Sequence, residues 1–322
     1  GYLSNDDPFA IYDCLETEQD LTMLFETLSE YKDSEGNHPV ITGNFVMGNP
    51  DFEKIKESNF KTFYLEPFIE TYKKHKDRQK NSEILRSGIQ EGLFVPQFHA
   101  REHLNSYLWL TYLRDNNKPY RFAFDKGCFS INDPNPENRL NDVMATYDYY
   151  SESNFRQVAL SIEEGLHMFK KYFGFASQTT VCPCYVWDEK IEKIFNRNNV
   201  YCFQGSKFQQ IPSVEHNSFK RKFRYIGQKE SGNTYLIRNA LFEPSLDPSV
   251  DWIDKCLESI RIAFKWNKPA IIGTHRINYV GGMTNENLHN NIHLLKELLK
   301  AIKSNWPDAL FTSTDRLYYN YK

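Results

Sequence analysis

Along the chain, short runs of apolar, β-branched residues are each followed within a few residues by a stretch whose apolar positions recur at helical spacing. This is the pattern of β/α alternation. Strands are predicted at Tyr2 to Asn5, Pro39 to Phe45, Lys61 to Leu65, Leu93 to Phe98, Thr179 to Pro183, Val200 to Phe203, Thr234 to Leu241, Pro269 to Thr274 and Ala309 to Ser313. The clearest helix runs from Asn285 to Ser304, where Leu288, Ile292, Leu295, Leu299 and Ile302 share one face. Two more span Thr17 to Tyr31 and Asp251 to Trp266, and Thr17 with Asp20 offers a capping box to the first of them. The rhythm breaks at residues 115 to 150, rich in Asn, Asp and Pro, and at residues 205 to 233, rich in Lys and Arg. Both read as long loops over a scaffold rather than as linkers. The pattern predicts a single α/β domain over residues 1 to 322, a barrel of about seven or eight strands.

Composition narrows the function. Net charge is −3, from 39 Lys+Arg against 42 Asp+Glu, and the bases are scattered, which argues against a nucleic-acid partner. No apolar run reaches the length of a membrane span. The six cysteines form neither a disulfide framework nor a cysteine-rich zinc site, which favours a reducing compartment. With no visible export signal, a cytoplasmic location is expected, although a chain opening at Gly1 leaves room for a removed signal sequence.

Three polar clusters, each set just after an apolar run, are candidates for chemistry. In Phe98-His99-Ala100-Arg101-Glu102-His103, a strand ending near residue 98 and one turn of following helix would bring two imidazoles together at i and i+4, a spacing suited to one divalent ion. Asp6-Asp7 follows the first predicted strand. Adjacent carboxylates point in different directions, so one can bind a metal while the other acts as a base, and the same residues also make a good turn. The run Ala270 to Thr274 ends on His275, and in a parallel barrel such strand ends gather on one rim. Glu243, Trp187 and Asn44 are further candidates for that rim, and the abundant aromatic residues suit stacking on sugar rings. The pair His289 and His293 lies on the long helix, with His289 facing solvent and His293 packing at the helix edge.

In order and rough spacing these clusters resemble the polysaccharide deacetylases, the family 4 carbohydrate esterases. Segments such as Pro96 to Asn105 and Thr274 to Tyr279 are similar to a little-characterised bacterial subgroup. The resemblance implies a distorted (β/α)7 barrel and a metal-dependent hydrolase that removes an N-acetyl or similar acyl group from an amino sugar or its polymer. It makes Asp7, His99 and His103 the metal ligands, Asp6 the general base and His275 the general acid. The metal, zinc by default with cobalt or nickel as alternatives, would activate water and polarise the acyl carbonyl. By the same analogy the backbone N–H of Tyr185 would face the oxyanion. The chain departs from the family in having Thr180 and Val181 where a supporting Arg is usual, a place Arg238 or Arg276 could fill, and in having Pro8 after the acidic pair.

Two other readings use the same residues. His99-Ala100-Arg101-Glu102-His103 matches the His-x-x-Glu-His signature of an inverted zinc protease, which requires both histidines inside one helix. A carbohydrate-binding protein that keeps the fold without turnover would account for the missing Arg.

Overall fold

The computed structural model describes residues 7–131, 143–213, 219–282 and 284–321. Among these the strands are β1 (Ile41–Val46), β2 (Gly48–Pro50), β3 (Leu65–Pro67), β4 (Phe94–Ala100), β5 (Thr179–Val181), β6 (Cys202–Gly205), β7 (Phe208–Ile211), β8 (Lys220–Phe223), β9 (Gln228–Glu230), β10 (Asn233–Ile237), β11 (Ala240–Leu241) and β12 (Ile272–Gly273). Six of them hydrogen-bond in the order β1-β4-β5-β6-β10-β9. Strand β5 is parallel to β4 and to β6, whereas β9 returns antiparallel to β10, so the sheet is mixed. The α/β class holds. Among the described residues the expected barrel is not closed: the order is linear, and β11 and β12 form a separate parallel pair.

The described chain divides into two compact units, one of residues 44–71 and 97–235 and one of residues 7–43, 72–96 and 236–321. In the first, an apolar cluster of Ile55, Leu104, Leu108, Trp109, Leu113, Tyr120 and Phe124 is fully or almost fully buried. Phe98, Phe169, Phe195 and Phe203 are likewise removed from water. The helix Glu152–Phe173 packs so closely on Phe98 that a Cβ at Gly165 would stand 2.7 Å from the ring. Side chains this large dominate the burial term of folding.

In the second unit the helix Asn285–Asn305 buries Leu288, Ile292, Leu295, Leu298, Leu299 and Ile302, the face its spacing predicts. The helix Glu18–Ser29 begins at the expected capping box, with Thr17 and Asp20 each accepting from the other's backbone N–H. The third expected helix runs from Trp252 to Lys265. His289 and His293 are both exposed, so His293 does not pack at the helix edge.

Several boundaries differ from expectation for local reasons. The Asn- and Pro-rich stretch contains the helix Lys118–Asp125, begun by an Asn117 side-chain cap with Pro119 in its first turn. The basic stretch after residue 205 contains β7, β8 and β9. Ala309 to Ser313 forms no strand, because Ser313 is the residue before the helix Thr314–Tyr319. The strand expected at Tyr2 to Asn5 lies outside the described residues.

Candidate functional site

In the second unit, β11 and β12 run parallel, with Ala240 opposite Ile272 and Leu241 opposite Gly273. A Cβ at Gly273 would come to 3.0 Å from Cδ of Arg238 and 3.0 Å from a methyl of Leu241, so a larger residue would require both side chains to shift. Because the register is even, the residues two places beyond each strand end, Glu243 and His275, leave the sheet side by side.

Glu243 is 3% exposed, whereas His275 stands at the surface. The ring Nδ1 of His275 lies 2.7 Å from Glu243 Oε1, and the backbone N–H of His275 donates to Oε2 at 3.2 Å. A third donor, Asn278 Nδ2, reaches Oε2 at 2.8 Å. A carboxylate hydrogen-bonded to one ring nitrogen favours the tautomer that carries its proton there, and leaves Nε2 to exchange protons with whatever approaches from solvent. Phe9, 42% exposed, stands edge-on to the imidazole with ring centroids 5.4 Å apart.

The neighbouring Arg276 guanidinium grips Asp13 through Nε at 3.0 Å and Nη2 at 3.1 Å, and Glu16 through Nη1 at 3.2 Å. Tyr72 donates its hydroxyl to the other oxygen of Glu16. Desolvation works against the charge of Arg276, but Glu16 and Asp13 outweigh it and hold the guanidinium protonated more firmly than an ordinary arginine. Beside His275, burial pushes the Tyr279 phenol up, and its hydroxyl pairs with Thr274 Oγ1 at 3.0 Å.

The first unit holds the other histidine pair. His99 sits in β4 and His103 in the bend that follows it, with ring centroids 5.0 Å apart. The sequence brings the rings together as expected, although through a bend rather than a helical turn, since the next helix starts only at Ser106. His99 Nδ1 meets the Val181 carbonyl at 2.5 Å, and Tyr147 donates to the His99 carbonyl at 2.8 Å. His103 Nδ1 is buried and has no partner, and burial lowers the pKa of that ring below the ordinary histidine value. Between them, Arg101 binds Glu102 through Nε at 2.5 Å and Nη2 at 2.7 Å, and also pairs with Glu164. These placements correct the inverted-protease reading, because the two histidines share no helix and Glu102, 1% exposed, is committed to Arg101.

The remaining predicted residues fall as follows. Asp7 caps the short helix Pro8–Tyr12, its Oδ1 accepting from Phe9 N at 3.0 Å, which is the turn role the sequence also allowed. Asp6 lies outside the described residues. Tyr185 closes a 3-10 turn in which it and Cys184 have φ of 57° and 52°. Its N–H donates to the Cys182 carbonyl at 2.9 Å, so in this turn it is not a donor to an oxyanion. Trp187 is not a rim residue. It is 1% exposed, stacks on Phe203 at 5.9 Å and donates Nε1 to Glu192 at 3.0 Å. Asn44 accepts from Gln204 at 3.1 Å. Arg238 lies against the backbone of β12 at Gly273.

The sequence singled out Glu243 and His275 separately but missed Asn278, Asp13, Glu16 and Phe9. Asn278 left a trace, being one polar residue inside the apolar run Ile277-Asn278-Tyr279-Val280. Asp13 and Glu16 are more than 250 positions from Arg276 and carried no local signal.

The fold and site thus define an α/β protein with an imidazole–carboxylate pair at adjacent parallel strand ends. The chain matches no protein-family model and no curated protein. Among solved structures it is similar to a GH57 branching enzyme from Thermococcus kodakaraensis, determined with glucose, at 12% identity and a TM-score of 0.45 over 98% of this chain and 66% of that one. It is also similar to an alpha-amylase from Thermotoga maritima, at 12% identity and a TM-score of 0.43 over 97% of this chain and 69% of that one. Neither is described as a deacetylase. Among the described residues, moreover, no group of three or more His, Cys, Asp or Glu side chains is placed to hold a metal ion. The expectation of a zinc-dependent deacetylase acting on an amide bond is corrected on these findings. No helix among the described residues is long and apolar enough to cross a membrane.

Proposed function

We propose that this protein performs general acid–base chemistry on a carbohydrate, with His275 as the proton-transfer residue and Glu243 as the group that orients it. The observation that carries this reading is the 2.7 Å contact between Nδ1 of a surface imidazole and a buried carboxylate. A buried carboxylate with three donors is a fixed reference, and an imidazole held to it presents Nε2 in one direction and one protonation pattern. The rim supports a substrate with both apolar and hydroxylated faces. Phe9 offers an exposed ring beside His275, and the neighbouring Arg276 with Asp13 and Glu16 supplies polar groups.

The test is a panel of neutral and acidic oligosaccharides incubated with wild type and with His275→Gln, with bond changes followed by proton NMR. Turnover of at least one glycan by wild type, reduced about 100-fold or more in the variant, is the expected result. Equal rates across the panel, or no change of any glycan by wild type, would overturn the assignment.

A further inference from the structure

We propose that Asn278 is the positioning residue of this site, clamping the Glu243 carboxylate so that Oε1 is aimed at His275; the inference rests on the acid–base reading above and adds the group that sets its geometry.

A glutamate carboxylate turns easily about its last side-chain bond, which is broad and roughly two-fold. Burial alone therefore does not aim it. At Glu243 the two oxygens are divided: Oε1 meets the imidazole, while Oε2 accepts from Asn278 Nδ2 at 2.8 Å and from the His275 backbone N–H at 3.2 Å. Asn278 is fully buried, and its amide is in turn fixed at both ends. Nδ2 also reaches Thr274 Oγ1 at 3.1 Å and the His275 carbonyl at 2.9 Å, and Oδ1 accepts from Ser245 N at 2.9 Å. One side chain therefore ties the segment after β11 to the segment after β12 at the point where the dyad forms.

The clamp is anchored in the long helix. Ser245 Oγ donates to Asn287 Oδ1 at 2.8 Å and accepts from Asn291 Nδ2 at 2.8 Å. Asn287 Nδ2 donates to the carbonyls of Ile277 at 2.7 Å and Val280 at 3.2 Å. The polar chain from helix to carboxylate is buried for most of its length, and a buried network with every member satisfied is rigid. A structural amide could be satisfied by backbone alone. Asn278 instead spends a donor on a carboxylate oxygen that already has one.

The experiment reads the tautomer of His275 by nitrogen-15 NMR in the full chain, together with the melting temperature. In wild type the proton should reside on Nδ1. In Asn278→Ala, loss of the clamp should lower the ratio of Nδ1–H to Nε2–H about tenfold, the size of one charge-assisted hydrogen bond. Asn278→Ser, a smaller perturbation that leaves a hydroxyl too short to reach Oε2 directly, should move the ratio in the same direction and serves if the alanine variant does not fold. An unchanged ratio in a folded variant would overturn the inference. The readout needs no turnover, so an unaltered His275→Gln rate would sink the acid–base reading while leaving the clamp measurable.

Discussion

At His275 the ring nitrogen Nδ1 meets a buried carboxylate at 2.7 Å, whereas at His99 the same atom meets the Val181 carbonyl at 2.5 Å and at His103 it is buried with no partner. Both regions place imidazole at the end of a strand. They differ in what stands behind the ring. At His275 the nearest buried charge faces the imidazole itself, and the neighbouring arginine is turned away to Asp13 and Glu16. In the other region the buried charge, Glu102, is taken by Arg101, while His99 Nδ1 faces the Val181 carbonyl and His103 Nδ1 has no hydrogen-bond partner. Imidazole spacing is thus a weak guide to chemistry, and the destination of the nearest carboxylate is a strong one.

The comparison breaks most sharply at Arg101. If Glu102 is a structural charge, then Arg101→Met strands a carboxylate that is 1% exposed, and breaking such a pair costs about 3–5 kcal/mol. Urea unfolding should show that loss, with the His275 tautomer unchanged. A loss below about 1 kcal/mol would mean that water reaches Glu102, and the contrast with Glu243 would fail.

A smaller effect is expected at Glu243. In Glu243→Gln the side chain keeps its size, but one of its two ends becomes a donor and must face either the His275 ring or the pair formed by the Asn278 amide and the His275 backbone N–H. Facing the amide it leaves a buried donor without an acceptor, at about 1–3 kcal/mol, and facing the ring it draws the His275 proton to Nε2. The same change should release the His275 tautomer. Stability lost without tautomer release would make Glu243 a core residue rather than an orienting one.

These contrasts also mark what the sequence could and could not convey. Ile272-Gly273-Thr274-His275 is legible because a strand end followed by a polar residue is a local pattern, and so is the approach of His99 to His103. The burial of Trp187 is not legible, because its indole N–H is satisfied by Glu192 five residues on, and burial of a polar tip depends on a partner whose orientation no spacing gives. The grip of Arg276 on Asp13 and Glu16 joins distant parts of the chain, and in one sequence nothing distinguishes those carboxylates from other surface acids. Barrel closure is not legible for a related reason. Strand runs can be counted along the chain, but whether the end strands meet is a matter of long-range pairing.

The smallest expected effect tests His103, and its sign follows from the direction of the shift. Burial lowers the pKa of the folded ring below the ordinary value of 6.5, so between the two values the unfolded chain binds a proton that the folded protein does not. Stability is therefore fully present above pH 6.5 and falls as the pH drops below it, with a slope that one proton limits to about 1.4 kcal/mol per pH unit. The decline should level off once the pH passes below the folded value. Asn or Gln at this position removes the titrating group without adding a charge, so His103→Gln should flatten the stability profile below pH 6.5 relative to wild type, whatever its effect at neutral pH. Chemical unfolding at a series of pH values measures this. Parallel profiles for wild type and variant would show that His103 is solvated and able to charge in the folded protein, and the two histidine regions would then differ less than their partners suggest.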